Sequence, residues 1–252
     1  MTKISPATPA PVLQLEHVSR HRAGRVAVQD LSLALPRGQV LGLLGVNGAG
    51  KSTTLSMIAG ALRPDRGSIK LNGEDFLEQP ELARAWIGWL PERAPLWPEL
   101  TVSEHLDAHG RLRGLRGAAL REARTNIIER LELQPLARRL AGVLSQGQRQ
   151  RLGLACALLH QPAVLVLDEP ANALDPVQVA ALRKIIREQA DAGTAVILST
   201  HLLAEVTAVC HRVAILHDGT LHHDGAVLAG DHAALERTFF EIAMNPRPAH
   251  AA

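Results

Sequence analysis

A run of glycine, lysine and hydroxyl residues has the composition of a phosphate-binding loop. GVNGAGKST, residues 45–53, matches the pattern G-x-x-x-x-G-K-[ST] at every fixed position. Its glycines allow the backbone to curl so that N–H groups point at phosphate oxygens. Lys51 is expected to reach the terminal phosphates of a nucleotide, and the Ser52 hydroxyl to bind Mg²⁺. The residues predicted to hold the nucleotide are Gly45, Val46, Asn47, Gly48, Ala49, Gly50, Lys51, Ser52 and Thr53.

Two carboxylates after an apolar run form the second half of the predicted site. Val164 to Leu167 are four apolar residues in succession, followed directly by Asp168 and Glu169. A buried strand of this kind delivers its last residues to the edge of an open α/β sheet, where such folds bind ligands. Asp168 is expected to hold Mg²⁺ through water, and Glu169 to polarise the water that attacks the terminal phosphate.

Apolar strands alternate with helical segments, and these elements must position the two motifs. Residues 39–45, 163–170 and 194–200 contain the continuous apolar runs found in parallel strands buried on both faces. Helices are predicted after the phosphate loop and over residues 176–191, and a hairpin over 212–225. The pattern predicts an α/β fold, a P-loop NTPase core with a mixed, mostly parallel sheet.

Two parts of the chain depart from this alternation. Residues 12–18, 31–35 and 67–75 predict strands of an N-terminal antiparallel β subdomain, the last ending in an Asn-Gly turn. From about Glu99 to Leu140 β-branched residues become rare, which predicts an inserted α-helical subdomain. We expect a single domain over 12–243. Its parts are a nucleotide-binding core (12–92 and 141–225), a helical subdomain (93–140) and a C-terminal helix (226–243, helical from about Asp231 to Ala243), with flexible tails at 1–11 and 244–252.

Composition excludes several other classes of protein. The chain has three Trp, three Phe and no Tyr, so it lacks the aromatic platforms on which single-stranded nucleic acids stack. With a formal net charge of +2, no nucleic-acid partner is expected. Cys156 and Cys210 are expected to be buried and inert, with a metal site at Cys210 and His211 as the alternative. No apolar stretch reaches the about 18–20 residues that span a bilayer, and no leader segment is evident, so we expect a soluble, cytoplasmic chain.

The segment LSQGQ, residues 144–148, carries a resemblance that extends over nearly the whole chain. It is similar to the LSGGQ signature of the ATP-binding subunits of ABC transporters, with Gln146 in place of the first glycine. The resemblance implies that Ser145, Gly147 and Gln148 bind the nucleotide held by a second subunit. Considered by itself, the segment begins a helix and either binds an anion or caps only its own helix.

Further segments match the family in order. ANALDP, residues 171–176, resembles its D-loop, with Asp175 central, and STH, residues 199–201, resembles its switch-histidine segment. IGWLPE, residues 87–92, resembles the Q-loop, although Glu92 stands where many members have glutamine. The resemblance thus implies a catalytic set of Lys51, Glu92, Glu169 and His201, and a Mg²⁺ set of Ser52, Asp168 and Glu92.

The function implied by the resemblance is ATP hydrolysis that powers a separate transmembrane permease. ATP and Mg²⁺ are the implied cofactors, and the implied assembly is a head-to-tail homodimer, peripheral on the cytoplasmic face of the inner membrane. The permease is expected to dock near Trp89 to Trp97, with Trp97 the favoured anchor and Trp89 divided between docking and the core. LPERAPLWPELT, residues 90–101, resembles bacterial exporters and favours export. The alternatives are a soluble ABC ATPase not coupled to transport, and an inactive structural subunit, against which the retained Lys51 and Glu169 argue.

Two features leave alternatives open. Family members usually stack adenine on an aromatic residue before the second strand, but residues 19–28 have none besides imidazole. His21 or Arg22 stacks on the base instead, or neither touches it. The helical subdomain carries a net charge of +5 over residues 111–139, which suits either an acidic membrane leaflet or, as we favour, a solvated face.

Overall fold

The computed structural model describes residues 11–22, 24–172, 174–227 and 232–244. The strands are β1 Pro11–Arg22, β2 Arg25–Pro36, β3 Val40–Leu44, β4 Arg66–Leu71, β5 Glu74–Asp75, β6 Ile87–Leu90, β7 Val164–Asp168, β8 Ala195–Ser199, β9 Arg212–His217 and β10 Thr220–Ala226. The helices are α1 Lys51–Ile58, α2 Pro80–Trp86, α3 Val102–Leu112, α4 Gly117–Arg130, α5 Gln146–Leu158, α6 Pro176–Asp191, α7 Leu203–Val209 and α8 His232–Met244. Two short 3-10 turns, Gln134–Leu136 and Ala141–Val143, lie between α4 and α5.

A six-stranded sheet in the order β10-β9-β3-β8-β7-β6 forms the centre of the fold. Its strands run parallel except for β10, which pairs antiparallel with β9 in the hairpin predicted around Asp218 and Gly219. Every residue of β3, β7 and β8 is buried. Since parallel strands end at the same edge of a sheet, the carboxyl ends of these three bring the phosphate loop, residues 168–169 and residues 199–201 together.

The N-terminal strands form a separate antiparallel sheet in the order β2-β1-β4-β5. Leu13 and Leu15 of β1 point inward and share an apolar cluster with Leu41 and Leu43 of β3. The second apolar cluster joins the other residues of the central strands to α5, α6 and the helical segments. The central sheet is therefore covered on both faces, which explains why its strands are uninterrupted apolar runs.

The helical lobe, residues 93–140, is fixed at both ends of α3. A capping box begins the helix: the Glu104 N–H donates to Thr101 Oγ1 (3.2 Å), and the Thr101 N–H donates to Glu104 Oε2 (2.8 Å). Just past its end, the Arg113 guanidinium donates to the carbonyls of Ile87 (2.9 Å) and Arg84. The Ile87 carbonyl also lies 3.2 Å from His160 Nε2. The lobe is thus attached to the first residue of β6.

Several arginines of the positively charged lobe make ion pairs or hydrogen bonds with other residues of the chain. Arg124 pairs with Asp107 and Arg130 with Glu188. Arg116, like Arg113, donates to backbone carbonyls. These contacts favour the solvated face over a surface built for an acidic membrane.

Several boundaries differ from the expectation. β1 and β2 are 12 residues each and meet at a hairpin, because the polar segment between the predicted strands pairs as well. The predicted strand 67–75 is split into β4 and β5 at Asn72 and Gly73, which both have positive φ. Helix α2, which has a proline in its first turn, was not predicted. Helix α6 spans the predicted residues 176–191.

The ends of the chain also need correction. Pro11 begins β1 and Met244 ends α8, so neither belongs to a tail. Ala226, expected to open the C-terminal segment, belongs to β10. The rest of the predicted tails, residues 1–10 and 245–252, and Asp231 of the predicted helix lie outside the described residues.

Both cysteines are free thiols that lie buried in the fold. Burial raises the pKa of the Cys156 and Cys210 thiols to about 12. His211 Nδ1 accepts a hydrogen bond from the Val40 N–H at 2.9 Å. In the described part of the chain, no cluster of His, Cys, Asp and Glu is arranged to hold a metal ion. Across the same ranges, every helix is too short or too polar to span a bilayer.

Candidate nucleotide site

The phosphate loop connects β3 to α1, as the motif requires. Gly48 and Gly50 have φ of 85° and 103°, a region that side chains disfavour. A Cβ on Gly50 would also collide with the Ala27 carbonyl oxygen. Helix α1 begins at Lys51 with no side-chain cap and no acidic residue in its first turn. Its first N–H groups are therefore available to an anion, and the helix dipole favours negative charge there.

Lys51 is buried at the bottom of this loop. Its Nζ donates to the carbonyls of Gly45 (2.6 Å) and Val46 (3.2 Å), which hold the side chain in place. Burial lowers the pKa of the ammonium group, and the charges of Glu169 and Asp168 act in the opposite direction. The lysine and both carboxylates thus lie within electrostatic reach of one another.

Asp168 connects the phosphate loop with β8. It is the last residue of β7, is buried, and pairs in register with Ser199. Asp168 Oδ1 accepts hydrogen bonds from Ser52 Oγ (3.2 Å) and from Ser199 Oγ (2.6 Å). A carboxylate and a hydroxyl next to a phosphate loop are the hard oxygen ligands that Mg²⁺ prefers. The donor set therefore fits the predicted ion.

Glu169 and His201 are in direct contact. Glu169 Oε2 lies 2.9 Å from His201 Nδ1, with the Glu169 side chain 13% exposed and that of His201 50% exposed. Glu169 has a φ of 46°, which is unusual for a residue with a side chain. The pair predicted from two separate motifs is thus assembled in a single chain.

These residues surround a cleft of about 360 Å³. Its lining includes Glu92, Glu169 and His201 together with phosphate-loop residues 47–53, so the Q-loop residue lies where the resemblance places it. Ala27 and Asn172 also line the cleft and were missed by the sequence analysis. Asn172 belongs to the segment already singled out around Asp175, whereas no sequence signal marks Ala27.

The signature residues lie outside that lining. Ser145 is the N-cap of α5, and with Gln148 it forms a capping box: Gln148 N–H to Ser145 Oγ at 3.3 Å, and Ser145 N–H to Gln148 Oε1 at 3.0 Å. Asp175 caps α6 in the same way, accepting from the Gln178 N–H at 2.9 Å. Gly147 is buried against the Gln178 side chain. Ser145 and Asp175 therefore do cap their own helices. Within one chain, the signature residues do not reach the cleft.

His21 and Arg22 are not part of the cleft lining either. Both close the β1–β2 hairpin, paired with Val26 and Arg25. The backbone N–H and ring Nδ1 of His21 lie 2.7 Å and 3.0 Å from Asp65 Oδ2. Arg22 is exposed.

The tryptophans occupy two environments. Trp86 and Trp89 are half-buried and pack against the apolar cluster below the N-terminal sheet. Trp97 is 46% exposed, and its ring lies against His105 and His109 with centroids 5.5 Å and 5.8 Å away. Much of the Trp89 side chain is therefore packed in the core, whereas Trp97 is the tryptophan with a large exposed surface.

Comparisons with known proteins agree with this geometry. The protein family described as ABC transporter matches residues 28–172. The ABC-type transporter ATP-binding protein EcsA of Bacillus subtilis is 34% identical over 79% of this chain and 81% of its own. The Nod factor export ATP-binding protein I of Ralstonia nicotianae is 36% identical over 83% of this chain and 65% of its own, so the chain spans just under two thirds of that relative. The dimeric post-hydrolysis structure of the cassette MJ0796, bound to ADP and Pi, is 25% identical and superposes with a TM-score of 0.77 over 86% of this chain and 99% of its own.

A parallel sheet with a phosphate loop, a strand-end Asp-Glu pair and a histidine beside them defines a P-loop nucleoside triphosphatase. Within that class, the chain belongs to the ABC transporter family. It is an ATP-binding and ATP-hydrolysing subunit of that family, with an α/β fold as expected.

Proposed function

We propose that this chain works as one half of a head-to-tail pair of identical subunits and powers a separate transmembrane permease, in the direction of export. The proposal rests on the distance, within one chain, between the cleft residues and the signature residues. Lys51, Glu169 and His201 line one cleft, and Asp168 is hydrogen-bonded to Ser52 of the same lining, whereas Ser145 and Gly147 lie outside it. A second copy in the opposite orientation places the surface around its Ser145 against the first copy's cleft. The dimeric state of MJ0796 supports such a pair.

In this proposal each residue of the cleft has a defined role. The uncapped N–H groups of α1 and the Lys51 ammonium bind the β- and γ-phosphates. Ser52 and Asp168, with Glu92 nearby, hold Mg²⁺, which when bound offsets the negative charge on the phosphates. Glu169 accepts a proton from the attacking water as general base. His201, hydrogen-bonded to Glu169, orients that carboxylate.

Arg22 is the better candidate for adenine. His21 is held by Asp65, whereas the Arg22 side chain is exposed and has no hydrogen-bond or ion-pair partner among the described residues. Its planar guanidinium is suited to stacking on a base. We therefore assign base contact to Arg22 in place of the missing aromatic residue.

The permease is proposed to dock around Trp97, on the cytoplasmic face of the inner membrane. Exposed aromatic rings are frequent anchors in protein interfaces. Export is supported by the LPERAPLWPELT segment and by the relative named for Nod factor export. The helical lobe, residues 93–140, is proposed to be the subdomain that carries this docking surface.

Complementation between two inactive variants tests the head-to-tail pair. Lys51→Ala removes the phosphate contact of one copy, and Ser145→Arg blocks the surface it offers to the other. In a head-to-tail pair, a mixed dimer retains one intact site, built from the Lys51 of one copy and the Ser145 of the other. We expect each variant alone to be inactive and the mixture to hydrolyse ATP. Mixing Lys51→Ala with Asp168→Ala is the control. Both changes damage the cleft side of the site, so the mixed dimer has no intact site and remains inactive.

Two outcomes would contradict the arrangement. One is a mixture that remains as inactive as its components although both variants fold and form dimers. The other is a parent chain whose hydrolysis per molecule is independent of its concentration down to the monomer.

A further inference from the structure

Ser199 contacts both acidic residues of the site. It is the last residue of β8, is fully buried, and pairs in register with Asp168 of β7. It precedes His201 by two residues, so it occupies the same edge of the sheet as the rest of the cleft. The sequence motifs give this serine no role of its own.

One hydroxyl makes two hydrogen bonds at this position. Ser199 Oγ donates to Asp168 Oδ1 at 2.6 Å, and it accepts from the Glu169 N–H at 2.9 Å. The directions are fixed, because an ionised carboxylate has no proton to donate and a backbone amide nitrogen cannot accept. Ser199 therefore connects the side chain of Asp168 with the backbone of Glu169.

The contact with Glu169 restrains a strained residue. A φ of 46° is unfavourable for glutamate and persists only where the surroundings hold it. The hydrogen bond to Ser199 holds the Glu169 backbone, and the contact with His201 at 2.9 Å holds its carboxylate. Without the first restraint, the chain is free to relax and swing the carboxylate away from the cleft.

The contact with Asp168 fixes which oxygen of that carboxylate faces outward. Oδ1 already accepts from Ser199 and Ser52. Oδ2 receives no hydrogen bond from the residues that the structure describes. The serine thus sets the rotation of the carboxylate so that one oxygen stays available.

We propose that Ser199 is a positioning residue for ATP hydrolysis, which holds the Glu169 backbone in its left-handed conformation and sets the rotation of the Asp168 carboxylate. The inference rests on the proposed function, because it takes Glu169 as the general base. Ser199 itself touches neither nucleotide nor water in this role.

The test compares Ser199→Ala, Ser199→Thr and Thr194→Val in the full-length chain. Thr194 precedes the other end of β8, and its buried hydroxyl donates to the Pro162 carbonyl at 3.3 Å, so its loss is a matched control. For Ser199→Ala we expect kcat to fall by about 10- to 100-fold, as misplaced catalytic groups do, while the Kd for ATP changes by less than about three-fold. Ser199→Thr keeps a hydroxyl and should recover most of the lost kcat. Thr194→Val should lower the melting temperature about as much as Ser199→Ala and leave kcat near that of the parent.

Two further measurements separate the two contacts. If Ser199 acts through Glu169, adding Ser199→Ala to Glu169→Gln lowers the residual rate by less than about three-fold, because coupled residues are non-additive. The effect through Asp168 appears as a higher Mg²⁺ concentration for half-maximal activity.

Three results overturn the inference. The first is parental kcat and Mg²⁺ dependence in Ser199→Ala. The second is a loss of kcat in Thr194→Val that matches the loss in Ser199→Ala, since the effect would then follow stability alone. If Glu169→Gln itself leaves turnover unchanged, the proposed base is wrong and the inference fails with it.

Discussion

At the scale of single residues, Gly147 illustrates how packing and function overlap in one position. Its φ is outside the left-handed region, so backbone freedom is not the reason for a glycine. A Cβ at Gly147 would lie 2.5 Å from Gln178 Oε1, at the far end of a flexible side chain. Because that end of Gln178 can move aside, the contact gives only a weak steric reason for this glycine.

This contact leads to a prediction for Gly147→Ala. The variant should lower ATPase activity, because Gln178 is displaced, while any loss of stability should stay below about 1 kcal/mol because that side chain is flexible. Adding Gln178→Ala should bring kcat to within about three-fold of the parent, since alanine keeps the backbone N–H that is proposed to bind an anion.

Gln178→Ala alone serves as the control and should remain folded and active. A double variant that is stable but inactive would show that the Cα of Gly147 itself faces a ligand.

At the scale of elements, the junction between the helical lobe and β6 contains buried histidines. Burial lowers the pKa of His109 and of His160 to about 4, and positively charged neighbours such as Arg113 act in the same direction. His109 Nε2 and His160 Nδ1 are buried and have no partner among the described residues. The junction thus accommodates neutral imidazole and excludes imidazolium.

These histidines predict how stability depends on pH. In the unfolded chain histidine binds a proton near pH 6.5, whereas in the folded chain these two bind it only near pH 4. Between these values the unfolded state holds more protons, so the free energy of unfolding falls as the pH falls from about 6.5 to about 4. Above about pH 6.5 this contribution is constant.

Thermal unfolding from pH 8 to pH 4 measures this dependence. His109→Gln should make the decline between pH 6.5 and pH 4 shallower, because glutamine does not titrate. His232→Gln removes an exposed histidine of α8 and should leave the slope unchanged. Parallel slopes for His109→Gln and the parent would exclude His109 as a source of the decline.

Elements also differ in how well the sequence predicts them. The buried strands β3, β7 and β8 were predicted to within one or two residues, because continuous apolar runs have few alternatives. The β1–β2 hairpin was predicted too short, since its outer half is polar and is stabilised by pairing with a neighbour. Pairing between two polar strand ends leaves no apolar pattern in the sequence.

The candidate site follows the same rule. Lys51, Asp168, Glu169 and His201 belong to motifs with fixed spacing, and the structure brings all four together. Ala27 lines the cleft through hairpin packing, and Ser199 contacts Asp168 and Glu169 through strand register. Their roles depend on which strands become neighbours, which single motifs do not encode.

At the scale of the whole molecule, the exposed ring of Trp97 predicts a partner. A tagged full-length chain, extracted from membranes in mild detergent, should copurify with an integral membrane protein. Trp97→Ala should reduce the recovered partner by about ten-fold, as the loss of an interface anchor does. It should leave the ATPase activity of the isolated chain unchanged.

The matched control is Phe240→Ala, which removes another exposed ring, 56% exposed, on α8. It should retain the partner. Equal recovery of the partner with Trp97→Ala and with the parent would show that Trp97 is not part of the docking surface. An unfolded Trp97→Ala chain would show that Trp97 stabilises the fold instead.

The clustering of tryptophans between residues 86 and 97, together with the absence of tyrosine, also determines how the molecule absorbs and emits light. Nearly all of its near-ultraviolet fluorescence is expected to originate at the end of α2, at β6 and at the start of the helical lobe. Trp86 and Trp89 are half-buried and are expected to emit at shorter wavelength than Trp97, which is exposed beside two imidazoles. The chain therefore carries an intrinsic optical reporter at the very segment that joins the nucleotide cleft to the lobe, and no dye has to be attached to follow it.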